Sequence, residues 1–230
     1  MIPEILYEDD DVLAVNKPAG LVVHSDGRTK EPTLVDWLVA KYPDIAEVGE
    51  RVRAGIVHRL DRETSGALVV AKNQKAFEYL KKQFQDRKVE KIYHAFVYGR
   101  MKNDEGVIDS PISRSKRGGA LWSATRGMKW KEREAITEYK VLRRDGDFSL
   151  VELRPLTGRT HQLRVHLKAI NYPVVCDKLY ATNRECALGF SRLALHARSI
   201  DLVLPSGKEI KIEAPYPKDF EQAIHFGTRC

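Results

Sequence analysis

His58-Arg59-Leu60-Asp61-Arg62-Glu63-Thr64-Ser65-Gly66 holds one aspartate between two arginines and ends in a small, turn-forming Thr-Ser-Gly. Apolar runs flank it, Ala54 to Val57 before and Ala67 to Ala71 after, and both read as buried strands bounded by turn signals. Asp61 is therefore expected in a loop between two core elements, where a rigid scaffold presents catalytic side chains. Spacing alone leaves a plainer reading open, in which Asp61 caps a turn or pairs with a neighbouring arginine.

Outward from this stretch, short strands are expected at Ile5 to Tyr7, Val12 to Asn16 and Leu21 to Val23, then a helix from about Thr33 to Lys41. A second helix fits Asn73 to Arg87, with Asn73 as N-cap and Ala76, Leu80 and Phe84 on one face. Lys91 to Tyr98 and Ala135 to Leu142 alternate apolar with polar, and Asp145-Gly146-Asp147 turns into Phe148 to Leu153. A helix starting at Thr160 would place Leu163, Leu167 and Ile170 on an apolar face and His161, Arg164 and Lys168 on another. A last hairpin turns at Pro205-Ser206-Gly207, and Lys218 to His225 reads as a closing helix. Hairpins interspersed with a few helices predict an α+β fold, a single domain over residues 1–230 with a mainly antiparallel sheet flanked by helices. No repeat or linker divides the chain.

A chain of 230 residues with 43% hydrophobic content is long enough for a sizeable core. It has no apolar stretch of membrane-spanning length, and it opens on Met1-Ile2-Pro3-Glu4 and Glu8-Asp9-Asp10-Asp11 instead of a signal peptide, so a cytoplasmic protein with no membrane association is expected. Cys176, Cys186 and Cys230 are too few and too irregular for a disulfide framework or a zinc site and are expected as reduced thiols. No metal-ligand cluster or glycine-rich phosphate loop is visible, so neither metal nor cofactor is expected.

The net charge of +7 points toward a polyanionic partner. Between Pro111 and Arg133 lie Arg114, Lys116, Arg117, Arg126, Lys129, Lys131 and Arg133, opposed only by Glu132, with Trp122 and Trp130 interleaved. Such a segment suits phosphate tracking and base stacking; the alternative is a solvated loop whose tryptophans anchor it to the core.

His58 to Gly66, followed by Leu68-Val69-Val70-Ala71-Lys72, resembles the signature loop of the RluA-type pseudouridine synthases. Three further motifs of that family match in order: Asn16-Lys17-Pro18-Ala19-Gly20 with His24, then Lys91-Ile92-Tyr93, then Thr157-Gly158-Arg159-Thr160-His161-Gln162-Leu163-Arg164-Val165-His166. Together they span nearly the whole chain. The resemblance implies an isomerase that converts uridine to pseudouridine in ribosomal RNA or tRNA, without a cofactor or an obligatory protein partner, as a monomer. It implies a mixed, largely antiparallel sheet with a central active-site cleft, and a catalytic domain without the S4-like module of many relatives.

By the same resemblance, Asp61 is the catalytic residue, Arg164 pairs with it, and Tyr93 stacks on the target base and takes part in proton movement at C5. Arg59 inserts toward the RNA and holds the flipped nucleotide. Arg62, His58, Lys17, Arg159 and His161 join Arg114, Lys116 and Arg117 as expected RNA contacts, although His58 also reads as a support for the loop. Cys176 stands where relatives more often have glycine, so a slightly different backbone is expected there. From the residues alone, Tyr93 reads as a core or sheet-face tyrosine of its strand, and Arg164 as a residue pointing from its helix into the cleft, with an exposed helix face as the alternative. Competing functions are a catalytically silent RNA-binding or assembly factor, which would not need Asp61, Tyr93 and Arg164 intact, and a hydrolase with Glu63 as second carboxylate.

Overall fold

The apolar run after the quoted loop forms a strand buried along all 7 of its residues, and the rest of the first third of the chain organises around it. The computed structural model describes residues 1–25, 27, 31–49, 53–115, 121–124 and 132–225. Its elements are β1 (Glu4–Glu8), β2 (Val12–Lys17), α1 (Leu34–Lys41), a 3-10 turn (Pro43–Glu47), β3 (Ser65–Ala71), α2 (Gln74–Gln85), β4 (Glu90–Tyr98) and β5 (Glu105–Asp109). They continue with β6 (Ser113–Arg114), β7 (Trp122–Ser123), β8 (Ile136–Asp145), β9 (Phe148–Pro155), α3 (Gln162–Ala169), β10 (Leu195–Val203), β11 (Glu209–Glu213) and α4 (Lys218–His225).

The chain divides into two compact units, one of Met1–Lys91 with Ala197–Pro215, the other of Ile92–His196 with Tyr216–Cys230. It passes from one to the other inside β4, inside β10 and after Pro215, so no linker separates them. The registers of β1–β2, β2–β3, β10–β11, β4–β9, β5–β8 and β8–β9 are antiparallel, and the architecture is α+β with a mixed, mainly antiparallel sheet, as the sequence predicts.

In the first unit β2 lies between β1 and β3, β10 runs beside β3, and β11 pairs with β10. Gly66, opposite Lys17 on β2, has φ +117°, and a Cβ there would sit 2.1 Å from the Ala197 carbonyl oxygen. The glycine of the quoted loop is thus fixed by close approach of β10. Helix α1 starts at a reciprocal capping box between Thr33 and Asp36. Helix α2 is capped by Asn73, whose side chain accepts the Ala76 N–H, as expected. The Gln83 amide of α2 donates to Val203 O and accepts the Val203 N–H, fastening the helix to β10.

In the second unit the strands run β4-β9-β8-β5. Leu163 and Leu167 of α3 and Phe220 and Ala223 of α4 join Phe96, Leu153 and Leu195 in its core. The rings of Phe96, Phe190 and Phe220 meet at centroid distances of 5.2–5.5 Å, in tilted and edge-on contacts that aromatic quadrupoles favour.

Four sequence expectations change. Leu21 to Val23 is not a strand, because the Val22 and Val23 carbonyls accept the Leu34 and Val35 N–H groups at the start of α1. Ala54 to Val57 contributes one bridge, Ile56 to Val70, because Ala54 and Gly55 have positive φ and turn the chain. A Cβ on Gly55 would lie 2.2 Å from Ala71 O, so the turn is pressed against the end of β3. Helix α3 begins at Gln162, two residues later than the Thr160 start, since His161 is left-handed (φ 56°). Finally, Cys176 and Cys186 form a disulfide, their Cα atoms 4.6 Å apart, where reduced thiols were expected. Tyr98 draws the two ends of that loop together: its hydroxyl donates to Glu185 O and accepts the Cys176 N–H. Cys176 keeps φ 59°, a conformation that suits glycine, so the substitution leaves the backbone in a glycine-like turn.

Candidate active site

The loop carrying Asp61 is braced from the first motif. Lys17, at the end of β2, is fully buried. Its ammonium donates to the carbonyls of Pro18 at 2.9 Å, Leu21 at 2.9 Å and Arg62 at 3.0 Å. Three N–H donors thus meet three acceptors, which a desolvated ammonium requires. The Arg62 carbonyl also accepts the Gly20 N–H at 2.8 Å, and the Arg62 side chain donates back to Gly20 O at 3.2 Å. The residue after Asp61 is therefore held at both main chain and side chain. The loop closes on itself through the Thr64 N–H donating to Asp61 O at 3.1 Å. Leu60 is buried, Asp61 half-buried and Arg59 exposed. The buried Leu60 and the braced Arg62 carbonyl therefore hold a guanidinium and a carboxylate on either side of Leu60.

His58 supports this loop from behind. Its Nε2 accepts the Val69 N–H at 2.9 Å, and its ring stacks on Phe84 at 4.8 Å. Burial pushes its pKa down to about 3, and the Lys91 ammonium adds to the depression. The same burial lowers the pKa of Lys91. His58 is thus a neutral Nδ1–H tautomer at ordinary pH, suited to holding β3 and not to gripping phosphate.

In the second unit, α3 carries a run of buried polar side chains. Gln162 fills all four of its hydrogen-bonding positions: Oε1 accepts from Thr157 Oγ1 at 2.7 Å and Arg159 N–H at 3.0 Å, and Nε2 donates to Ile136 O at 2.9 Å and Thr137 Oγ1 at 3.0 Å. His166 bonds Thr137 Oγ1 and Ser110 O, each at 2.9 Å, and burial lowers its pKa. Arg164 is buried at 7% exposure, which overturns the exposed-helix reading. Its Nε and Nη2 grip Asp177 Oδ2 at 2.7 Å and Oδ1 at 2.8 Å, and the Tyr180 ring lies 5.0 Å from its guanidinium carbon. Tyr93 on β4 is half-buried, opposite Leu153 of β9, and one side of its ring packs on the core.

The expected RNA contacts separate into distinct groups. Lys17 is corrected: a saturated, buried ammonium cannot reach phosphate. His58 is corrected likewise. Arg62 is half-exposed and paired with Glu31 at 2.7 Å and Glu63 at 3.7 Å, so its charge is partly matched. Arg159 donates to Glu134 O at 3.0 Å, and the His161 ring bonds the Tyr180 hydroxyl at 2.9 Å. Arg59 and Arg114 are exposed. Lys116 and Arg117, with Arg126, Lys129, Trp130 and Lys131, lie outside the described residues. Trp122 packs against Ile112, Ala135, Val165 and Tyr180, and its N–H donates to the Tyr180 hydroxyl, so it anchors the β6–β7 hairpin. Asp177 and Tyr180, which enclose the Arg164 guanidinium, do not stand out in the sequence; the one signal is an acidic residue closing the apolar run Pro173-Val174-Val175-Cys176.

The chain matches the family model for RNA pseudouridylate synthase over residues 11–169. An RNA pseudouridine synthase of Bacillus subtilis (strain 168) is 42% identical over 222 residues, which cover 96% of this chain and 71% of that protein. Ribosomal large subunit pseudouridine synthase D of Borreliella burgdorferi is 37% identical over 218 residues, 94% of this chain and 66% of that protein. The solved structure of Human RNA Pseudouridylate Synthase Domain Containing 1 aligns with TM-score 0.77 and 31% identity over 94% of this chain and 84% of that one. The chain belongs to the RNA pseudouridylate synthase family, of the RluA type; it is an RNA-modifying isomerase with the pseudouridine synthase fold. Among the described residues no helix is long and apolar enough to cross a membrane.

Two outcomes follow from the buried cation and the packed imidazole. Lys17→Met leaves three carbonyls without their donor and should lower unfolding free energy by about 3 kcal/mol, with loss of activity, measured by denaturant titration and turnover; unchanged stability would show that the brace is dispensable. Because the folded pKa of His58 lies near 3 against 6.5 unfolded, the unfolded chain binds the extra proton and stability falls as pH drops below about 6.5. His58→Gln should flatten the loss between about pH 7 and pH 5, with His166 keeping a residue of it; an unaltered slope would show that His58 is not its source.

Proposed function

We propose that the protein isomerises particular uridines of structured RNA to pseudouridine with Asp61 as the catalytic carboxylate. The observation that carries this reading is the bracing of the Asp61 loop through Lys17 and Gly20, which holds a half-buried carboxylate at a fixed place on a rigid strand pair. The reaction breaks the bond from ribose C1′ to uracil N1, turns the base, and joins C1′ to C5 with loss of the C5 proton. Atoms are conserved and there is no net electron transfer, so an ionised carboxylate at C1′, as nucleophile or general base, is the group the chemistry needs. Arg164 supplies the cation that favours that ionised form. Tyr93 stacks on the uracil and assists proton movement at C5.

A uridine in folded RNA must leave its stack first, at a cost of a few kcal/mol. Arg59, exposed and adjacent to the anchored Leu60, holds the flipped nucleotide, its planar guanidinium able to stack or to bond phosphate. Ribosomal RNA of the large subunit is the favoured substrate class, because relatives in Borreliella burgdorferi and Neisseria meningitidis carry that designation.

Tritium release from RNA labelled at uridine C5, on separate ribosomal RNA and tRNA pools, tests the reading. Wild type should release tritium from ribosomal RNA, and Asp61→Asn should cut the rate by roughly 10⁴-fold while RNA affinity holds. A variant that still turns over would remove Asp61 from its role, and release from tRNA alone would move the substrate class. Arg114→Ala should weaken RNA binding and reduce its salt slope by about 1; an unchanged slope would return Arg114 to the solvated surface.

A further inference from the structure

We propose that Asp177 is a positioning residue for the isomerisation, acting through Arg164; this rests on the reading above, in which Arg164 serves the catalytic carboxylate. Asp177 lies beyond the region matched by the family model, in the loop that the Cys176–Cys186 disulfide closes. Its side chain is fully buried. The carboxylate has two tasks. Oδ1 accepts the N–H groups of Leu179 at 2.9 Å and Tyr180 at 3.1 Å, shaping the turn that follows. Oδ2 accepts Arg164 Nε at 2.7 Å, and Oδ1 also accepts Nη2 at 2.8 Å.

A guanidinium is planar and rigid, so gripping Nε and Nη2 along one edge fixes its plane and the direction of Nη1. The turn that Asp177 shapes places Tyr180 beneath the guanidinium face at 5.0 Å. The Tyr180 hydroxyl is tied in turn to His161 at 2.9 Å and to the Trp122 N–H at 3.1 Å. Arg164 is therefore held along one edge and on one face by a single loop. A flexible arginine would spend much of its time in rotamers that miss the reacting carboxylate, and a misplacement of about 1 Å costs a reaction on the order of 100-fold.

The two tasks separate by substitution. Asp177→Asn keeps Oδ1 for the turn but sets an NH₂ group against Arg164 Nε, so it breaks the grip and spares the turn. Asp177→Glu keeps the carboxylate for arginine but moves it off the turn. A positioning role predicts that kcat falls about 100-fold in Asp177→Asn with KM little changed, and that Glu retains more activity than Asn. A turn-shaping role alone predicts the reverse order, which would overturn the proposal whatever the effect on melting temperature.

The second measurement is a double-mutant cycle in single-turnover tritium release with Arg164→Lys. Acting through Arg164, Asp177→Asn should cost less than about 2-fold in the lysine background. A full, additive loss there would show that Asp177 acts elsewhere and overturn the proposal. Should Arg164→Lys alone leave the rate intact, the reading of Arg164 itself falls, and the proposal with it, while the Asp61→Asn result stands apart.

Discussion

A fully buried ammonium is the constraint on which the Asp61 loop depends. Lys17 has no water to solvate it and must find acceptors within reach of its own strand end. The chain supplies them by folding residues 18–21 back over the side chain and by bringing the Arg62 carbonyl against it. The proline and glycine after Lys17 serve that fold-back: Pro18 stiffens the exit from β2, and Gly20, at φ +86°, turns its N–H toward Arg62 O. Two motifs whose bonded residues, Lys17 and Arg62, stand 45 positions apart are therefore one object. Neither loop has its shape without the other.

The second unit solves the same problem with a different donor and acceptor. Arg164 and Asp177 form a buried pair, and burying two charges costs several kcal/mol per ion before their attraction and hydrogen bonds offset it. A pair of apolar side chains would serve stability as well. What they would not supply is a cation of fixed orientation, which the proposed role of Arg164 beside an ionised carboxylate calls for. Gln162, saturated at four contacts, and His166, bonded to Thr137 and Ser110, give the helix a polar spine tied to its neighbours at both residues. The motif string from Thr157 to His166 is mostly this spine.

Elements were legible where local signals agree with the tertiary environment. Asn73 before an apolar stripe, the Gly146 turn and the apolar–polar alternation in the sequence of β4 and β8 each have a cause within a few residues. Leu21 to Val23 and Ala54 to Val57 were misread because a short apolar run reports burial and not hydrogen-bond partners; the first gives its carbonyls to α1, and the second is bent by positive φ at Ala54. At the candidate site, the loop position of Asp61 was legible through its whole motif, whereas the destination of each cation was not. Lys17 and Arg59 look alike in sequence, yet one is sealed under carbonyls and the other exposed, a difference set by residues far along the chain. The disulfide was hidden for the same reason, since Tyr98, not the cysteine spacing, brings residues 176 and 186 together.

The cations of the motifs thus fall into two kinds with different uses. Those that are buried, Lys17 and Arg164, are each bonded to oxygens of the protein and give geometry; Arg59 and Arg114 lie exposed at the surface, as the proposed RNA contacts require. An enzyme acting on a polyanion gains from this division. Buried cations with saturated partners do not respond to salt or to the arrival of phosphate, so the reacting groups stay in register while the surface charges make and break contacts. Net charge alone, +7 in this chain, counts both kinds together and overstates what is offered to RNA. On the proposed reading, the arginine and lysine positions available to RNA are the ones that the fold leaves exposed.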